Sequence, residues 1–179
     1  MTIEKGNLML PSLVDPGVIN AMINRAKQTP PGIFVEVGVY KGGTAWHLCK
    51  LAKQQNRKIY LYDTFEGIPY KDPVDSHKIG DFKNTSYEKI VKELPYATVV
   101  KGIFPDSAVE MEDISFVHFD CDQYKSIIDG VNYLRSKMIK GGVMWFDDYA
   151  VLKGATKAIY ELFSKEQINI DYTKAYVVF

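Results

Sequence analysis

Apolar residues in this chain fall into short runs separated by amphipathic stretches. Five runs, at residues 33–37, 58–62, 97–101, 115–119 and 142–146, read as strands, the first of them suited to burial on both faces. Between them the spacing changes to that of a helix. Residues 16–27 place Val18, Ile19, Met22, Ile23 and Ala26 on one face, behind Asp15 as N-cap and Pro16 in the first turn. Residues 44–54, 86–94, 124–138 and 153–164 repeat that pattern, and Lys140-Gly141-Gly142 reads as a helix stop. Residues 105–111 read as a helical turn, and residues 168–179 as two strands around a turn near Tyr172-Thr173. Residues 64–84 follow neither period. A stretch of that length inside a compact domain points to a lid, and residues 1–13 read as a flexible arm. Strand and helix alternate, then a hairpin closes the chain. The expected fold is α/β: a doubly wound, mostly parallel seven-stranded sheet with a C-terminal antiparallel hairpin, in one domain spanning residues 1–179.

Composition narrows the function classes. Acidic and basic residues balance at 22 each, so no charge excess calls for nucleic acid or a membrane surface. The N-terminus lacks a basic and apolar leader, and no run reaches membrane-spanning length. Cys49 and Cys121 lack metal-motif spacing and are expected to be reduced thiols of a cytoplasmic protein. Aromatic residues, at 13%, are enough to serve both a core and a substrate pocket.

The candidate chemistry sits where strands end. After the first strand, Gly38, Gly42 and Gly43 form a turn that leads into a helix at Thr44, a cradle in which backbone can approach a ligand. The dinucleotide pattern G-x-G-x-x-G is absent. Glu36 precedes the turn, and an acid there repels phosphate but suits an ammonium group, which favours S-adenosylmethionine over NAD. Asp63 ends the second strand, placed to accept from the two ribose hydroxyls of an adenosine. Asp120, Asp147 and Asp148 follow the fourth and fifth strands. Crowded carboxylates need raised pKa values or a cation, and oxygen ligands suit a hard ion such as magnesium. Such an ion holds a substrate hydroxyl and lowers its pKa. Asp122 is left open between a substrate contact and a helix cap. His77 in the loop is expected to be solvated, His118 to be a core histidine, and Lys125 to be a solvated helix residue.

The blocks FVEVGVYKGGTAWHL, LYDTFEGIP, GDFKNTSYEKI, KGIFPDS, HFDCDQYKSI and KGGVMWFDDY resemble, in order, motifs of the macrocin O-methyltransferase family. The resemblance covers residues 33–150. It implies a Rossmann-like class I methyltransferase that uses S-adenosylmethionine and a divalent metal to methylate a hydroxyl of a sugar or another small hydroxylated molecule. It implies that Glu36, Gly38, Tyr40, Gly42 and Thr44 contact the methionine end of the cofactor. Asp63 would hold the ribose with Phe65 beside it, and Gly102, Ile103 and Phe104 would border the adenine. Asp120, Asp147 and Asp148 would bind the metal, with Asp120 as the catalytic group that takes the hydroxyl proton. Family members are usually longer at the N-terminus, and Cys121 and Gln123 depart from the acid-loop pattern. The expected partner is a small-molecule substrate, a sugar or glycoside, rather than nucleic acid or membrane; a homodimer is one assembly open to the chain. Two rivals remain: a catalytically inactive binding module of the same fold, and an NAD-dependent oxidoreductase.

Overall fold

The computed structural model describes residues 9–179. Seven strands form one sheet: β1 (Ile33–Val37), β2 (Ile59–Asp63), β3 (Thr98–Lys101), β4 (Ile114–Phe119), β5 (Met138–Phe146), β6 (Ile168–Asp171) and β7 (Lys174–Val178). Their order is β3-β2-β1-β4-β5-β7-β6. The first five run parallel, and β7 pairs antiparallel with β5. The expected sheet, hairpin included, is therefore present. From β1 the chain first winds out through β2 to β3, then returns to place β4 on the other side of β1. Such a switch point opens a crevice at the carboxyl ends of the two central strands.

Helices cover both faces, so the strand interiors are apolar on both sides. On one face, α1 (Pro16–Lys27), α2 (Gly43–Gln54) and α3 (Tyr87–Glu93) pack over Phe34, Phe116 and Trp145. On the other, α4 (Tyr124–Leu134) and α5 (Lys153–Leu162) pack over Val35, Val117 and Phe146. Helix α1 begins as expected: Pro16 is in its first turn, and Asp15 Oδ1 accepts the Gly17 N–H at 2.7 Å. The amino ends of the central strands are tied by Arg57, whose guanidinium donates to the carbonyls of Thr29 and Pro30 and to the hydroxyls of Thr29 and Ser115.

Three expectations change. The helix expected to reach Met138 stops at Leu134; a 3₁₀ turn, Arg135–Lys137, follows, and Met138 already opens β5. Lys140-Gly141-Gly142 is thus a bulge inside a strand rather than a helix stop. Ile114 pairs with Met138 and Phe116 with Val143, and the surplus residues loop out through Gly141 at φ 81°. Residues 105–111 form a turn closed by Ser107 N–H to Ile103 O and Ala108 N–H to Pro105 O, and they do not continue as a helix. The 64–84 loop is pinned: the Ile68 N–H donates to the Asp81 carbonyl and the Ile68 carbonyl accepts the Gly80 N–H, and Asp75 Oδ1 accepts the Tyr124 N–H at the start of α4 at 2.9 Å. Of the arm, residues 1–8 lie outside the described residues, whereas Leu10 is buried against the turn at Gly42.

Replacing Arg57 by Met would leave the Thr29 and Pro30 carbonyls without their donor in a buried setting. We expect a loss of about 2–4 kcal/mol, read as a lower midpoint in urea unfolding with an unchanged slope.

Candidate functional site at the strand tips

The carboxyl ends of β1, β2, β4 and β5 surround a cavity of about 590 Å³, the size range of a site for one cofactor-sized molecule. Its floor is set by Gly38. At φ 94° its backbone is left-handed, and a Cβ built there would stand 1.9 Å from the Asp120 carbonyl oxygen. No other residue lets the β1 turn lie this close to the end of β4.

Asp63 shapes the turn from the side. Its Oδ2 accepts the N–H groups of Val39 and Tyr40, both at 2.8 Å, and its Oδ1 accepts that of Phe65 at 2.7 Å. Each oxygen accepts further bonds, so the carboxylate that fixes the turn also presents acceptors to the cavity. Tyr40, at φ 50°, donates its hydroxyl to Asn84 Oδ1 at 2.9 Å, which joins the turn to the end of the 64–84 loop.

The residues expected to touch a cofactor divide into two groups. Gly38, Tyr40, Thr44, Asp63, Gly102, Ile103 and Phe104 line the cavity. Glu36, Gly42 and Phe65 are not in its lining. Glu36 is fully buried; its Oε1 accepts from Thr44 Oγ1 at 2.5 Å and meets His118 Nδ1 at 2.8 Å. Burial works against a charged His118, but the bond to Glu36 and the nearby carboxylates together move its pKa up. Gly42 makes room for Leu10 and Ile90, with a Cβ placed there 2.8 Å from Leu10 Cδ1. Phe65 packs edge-on against Tyr87 in the core. These three are bracing for the turn rather than its surface.

Asp120, Asp122, Asp147 and Asp148 all line the same cavity. Burial, and then repulsion from Asp147 and Asp148, pushes the Asp120 carboxyl well above its ordinary range. Burial and the same two neighbours raise Asp122 to about 8. Asp148 is pushed up to about 6 by burial and Asp147, against the pull of the Asp122 N–H, which it accepts at 2.9 Å, and of Lys174. The donor set fits a hard cation in kind. All of its atoms are carboxylate oxygens, and Asp147 Oδ1 is buried with no hydrogen-bond partner. The set is not gathered: among the described residues no three His, Cys, Asp or Glu side chains stand close enough together to hold an ion. His77 lies 3.7 Å from both Asp81 and Asp122, at the loop edge of the cluster. Lys125 pairs with Asp129 on the outside of α4.

Several wall residues carry no sequence signal of their own. Pro11 to Asp15 and Tyr172 to Lys174 line the cavity, although they come from opposite ends of the chain. Tyr70, whose hydroxyl is 3.0 Å from Ser126 Oγ, does so from the loop.

The family model described as Macrocin-O-methyltransferase (TylF) matches residues 18–177. A tetracenomycin-C 4'-O-methyltransferase from Streptomyces olivaceus, which acts on an 8-demethyl-8-(2,3-dimethoxy-alpha-L-rhamnosyl) form, is 25% identical over 68% of this chain and 54% of its own length. A probable ribosomal RNA small subunit methyltransferase A from Methanococcus maripaludis is 34% identical over 47% of this chain and 35% of its own. The chain thus spans about half, or less, of the length of these relatives. Among solved structures, the O-methyltransferase NovP superposes with a TM-score of 0.80 at 20% identity, covering 93% of this chain and 81% of that one. The calicheamicin methyltransferase CalS11 superposes at 0.74 with 19% identity, covering 90% and 77%. These two likenesses establish the fold.

The raised carboxylates give a pH dependence of definite sign. An acid whose pKa is higher folded than unfolded costs stability once it must ionise. Folding is therefore unpenalised below about pH 4 and loses stability as pH climbs through about 6 and 8, the values of Asp148 and Asp122. Thermal melts in a chelator should show the midpoint falling between pH 5 and 8, and Asp122→Asn should flatten that fall; a midpoint that rises across this range would contradict it.

Proposed function

We propose that this chain, which belongs to the macrocin O-methyltransferase family, transfers a methyl group from S-adenosylmethionine to a hydroxyl of a sugar or glycoside. One observation carries the reading: the Gly38 turn, Asp63, the Gly102–Phe104 segment and the acid cluster, from the ends of five strands, all border one cavity. A methyl donor with a sulfonium charge suits such a surface, since fixed negative groups stabilise a cation shielded from water. The rhamnosyl group in the tetracenomycin relative's name and the TDP-rhamnose in that of CalS11 support an acceptor hydroxyl on a sugar, and NovP is named an O-methyltransferase. The ribosomal RNA relative's name raises a nucleic-acid acceptor, but a chain with 22 basic and 22 acidic residues offers no excess charge for phosphates.

In this reading Asp63 accepts from the ribose hydroxyls while its hold on the Val39 and Tyr40 N–H groups keeps the turn in place. Ile103 and Phe104 offer an apolar edge to the adenine. The hydroxyl oxygen attacks the methyl carbon in line, the carbon–sulfur bond breaks, and S-adenosylhomocysteine leaves as a neutral thioether. Asp120 takes the hydroxyl proton; its raised pKa brings it nearer the operating pH, as a general base requires. Asp120, Asp147 and Asp148 would hold a divalent cation such as magnesium. Bound there, the ion would supply Lewis acidity that lowers the pKa of the acceptor hydroxyl. The 64–84 loop, with Tyr70 and Phe82 on the cavity wall, serves as the lid that excludes water. The protein's main contribution is to hold the two reactants in line.

Isothermal titration with S-adenosylhomocysteine tests the cofactor. Binding in the micromolar range is expected, weakened about tenfold or more by Asp63→Ala through the loss of a charged hydrogen-bonding group. No binding by the intact protein would sink the methyl-transfer reading. Asp147→Asn should leave that affinity within about twofold while abolishing magnesium-stimulated turnover on rhamnosides.

A further inference from the structure

The acid cluster already contains a cation. Lys174 is the first residue of β7, and the pairing of Phe146 with Ala175 sets it beside Asp147 at the end of β5. Its Nζ donates to the Asp147 carbonyl oxygen and lies 3.4 Å from Asp147 Oδ2. The residue is only 8% exposed. The other lysine on the cavity wall, Lys41, has its ammonium over the Tyr40 ring at 4.9 Å, on the β1 turn.

Burying an ammonium costs several kcal/mol unless it is well paired. Lys174 is paired on one side of Asp147 only. The opposite oxygen, Oδ1, has no partner although it is buried. Asp147 is thus half engaged: one oxygen near an ammonium, the other free within a group of mutually repelling acids. A divalent ion using that free oxygen would stand within a few ångströms of a fixed positive charge, and like charges that close in a poorly hydrated site repel strongly.

We propose that Lys174 is the resident counter-ion of the acid cluster and the competitor that a divalent cation must displace to bind there. The inference rests on the reading that Asp120, Asp147 and Asp148 receive such an ion. It goes further by giving the ungathered state of those side chains a cause. With Lys174 in place, the cluster holds together without an ion. When an ion enters, Nζ withdraws from Asp147, and the acids close on the newcomer. Lys174 is in these terms a positioning residue: it acts through Asp147 and sets how much cation the protein needs.

Calorimetric titration of manganese(II) into the intact protein and into Lys174→Met tests this, with S-adenosylhomocysteine affinity measured on the same samples. Removing the competing charge should tighten manganese binding by about tenfold or more. Lys174→Arg, which keeps the charge, should bind manganese no more tightly than the parent protein. Equal or weaker binding by Lys174→Met overturns the proposal, and intact S-adenosylhomocysteine affinity in that case leaves the methyl-transfer reading standing. The absence of manganese binding by both proteins overturns it equally. If Lys174→Met does not fold, amine acylation of the parent protein read by mass spectrometry decides. Saturating manganese should raise labelling at Lys174, and unchanged or reduced labelling refutes displacement.

Discussion

The site depends on how closely the ends of β1 and β4 approach. The two strands are neighbours in the sheet but belong to opposite windings of the chain, so a crevice opens above them. Gly38 sits against the Asp120 carbonyl, at a distance that excludes any side chain. That contact bends the chain after β1 away from the sheet and toward β2. There Asp63 collects the Val39 and Tyr40 N–H groups on a single oxygen. The same contact sets the acid loop after β4 beside the turn. A cofactor cradle and a group of carboxylates are neighbours because one glycine lets two strand ends nearly touch.

Beneath this surface the sheet holds a second, hidden layer of polar residues. Glu36 and His118 are cross-strand neighbours, fully buried and bonded to each other, and Glu36 also accepts from Thr44 at the start of α2. A paired acid and histidine at this depth are costly to bring out of water, and their value is in geometry. They hold the first turn of α2 against β1 and β4, so the N–H groups that open the helix stay aimed at the cavity. Glu36 itself does not line the cavity. The acidic character of the cavity comes instead from Asp63 and from the cluster after β4 and β5.

Much of this was legible in the sequence because strands buried on both faces are written as mostly apolar runs, as in residues 33–37 and 115–119. Acids at the ends of such runs are then placed by topology alone, which brings Asp63, Asp120, Asp147 and Asp148 to one side of the sheet. What escaped was set by distant partners. His118 lies 82 residues from Glu36, and nothing local to either marks the bond. Met138 continues a helical period, and only its pairing with Ile114 at the start of β4 makes it strand. Gly42 looked like a ligand-facing glycine because its other use, accommodating Leu10, involves the arm before α1.

Lys174 belongs with these distant effects and shows what the hairpin contributes. Read locally, it is a charged residue next to a turn, expected in solvent. The register of β7 against β5 instead seats it in the acid cluster, 27 residues from the aspartate it meets. An antiparallel edge strand is a common way to finish a parallel sheet, and by itself it implies nothing chemical. Here it carries a positive charge to the place where negative ones are most crowded. A protein that gathers several carboxylates must offset their repulsion in every state it occupies, including the state before any ligand arrives. An internal lysine meets that need and, on the proposal that the acids receive a divalent ion, would stand in its way, so that stability of the cluster and affinity for the ion would be opposed through a single side chain.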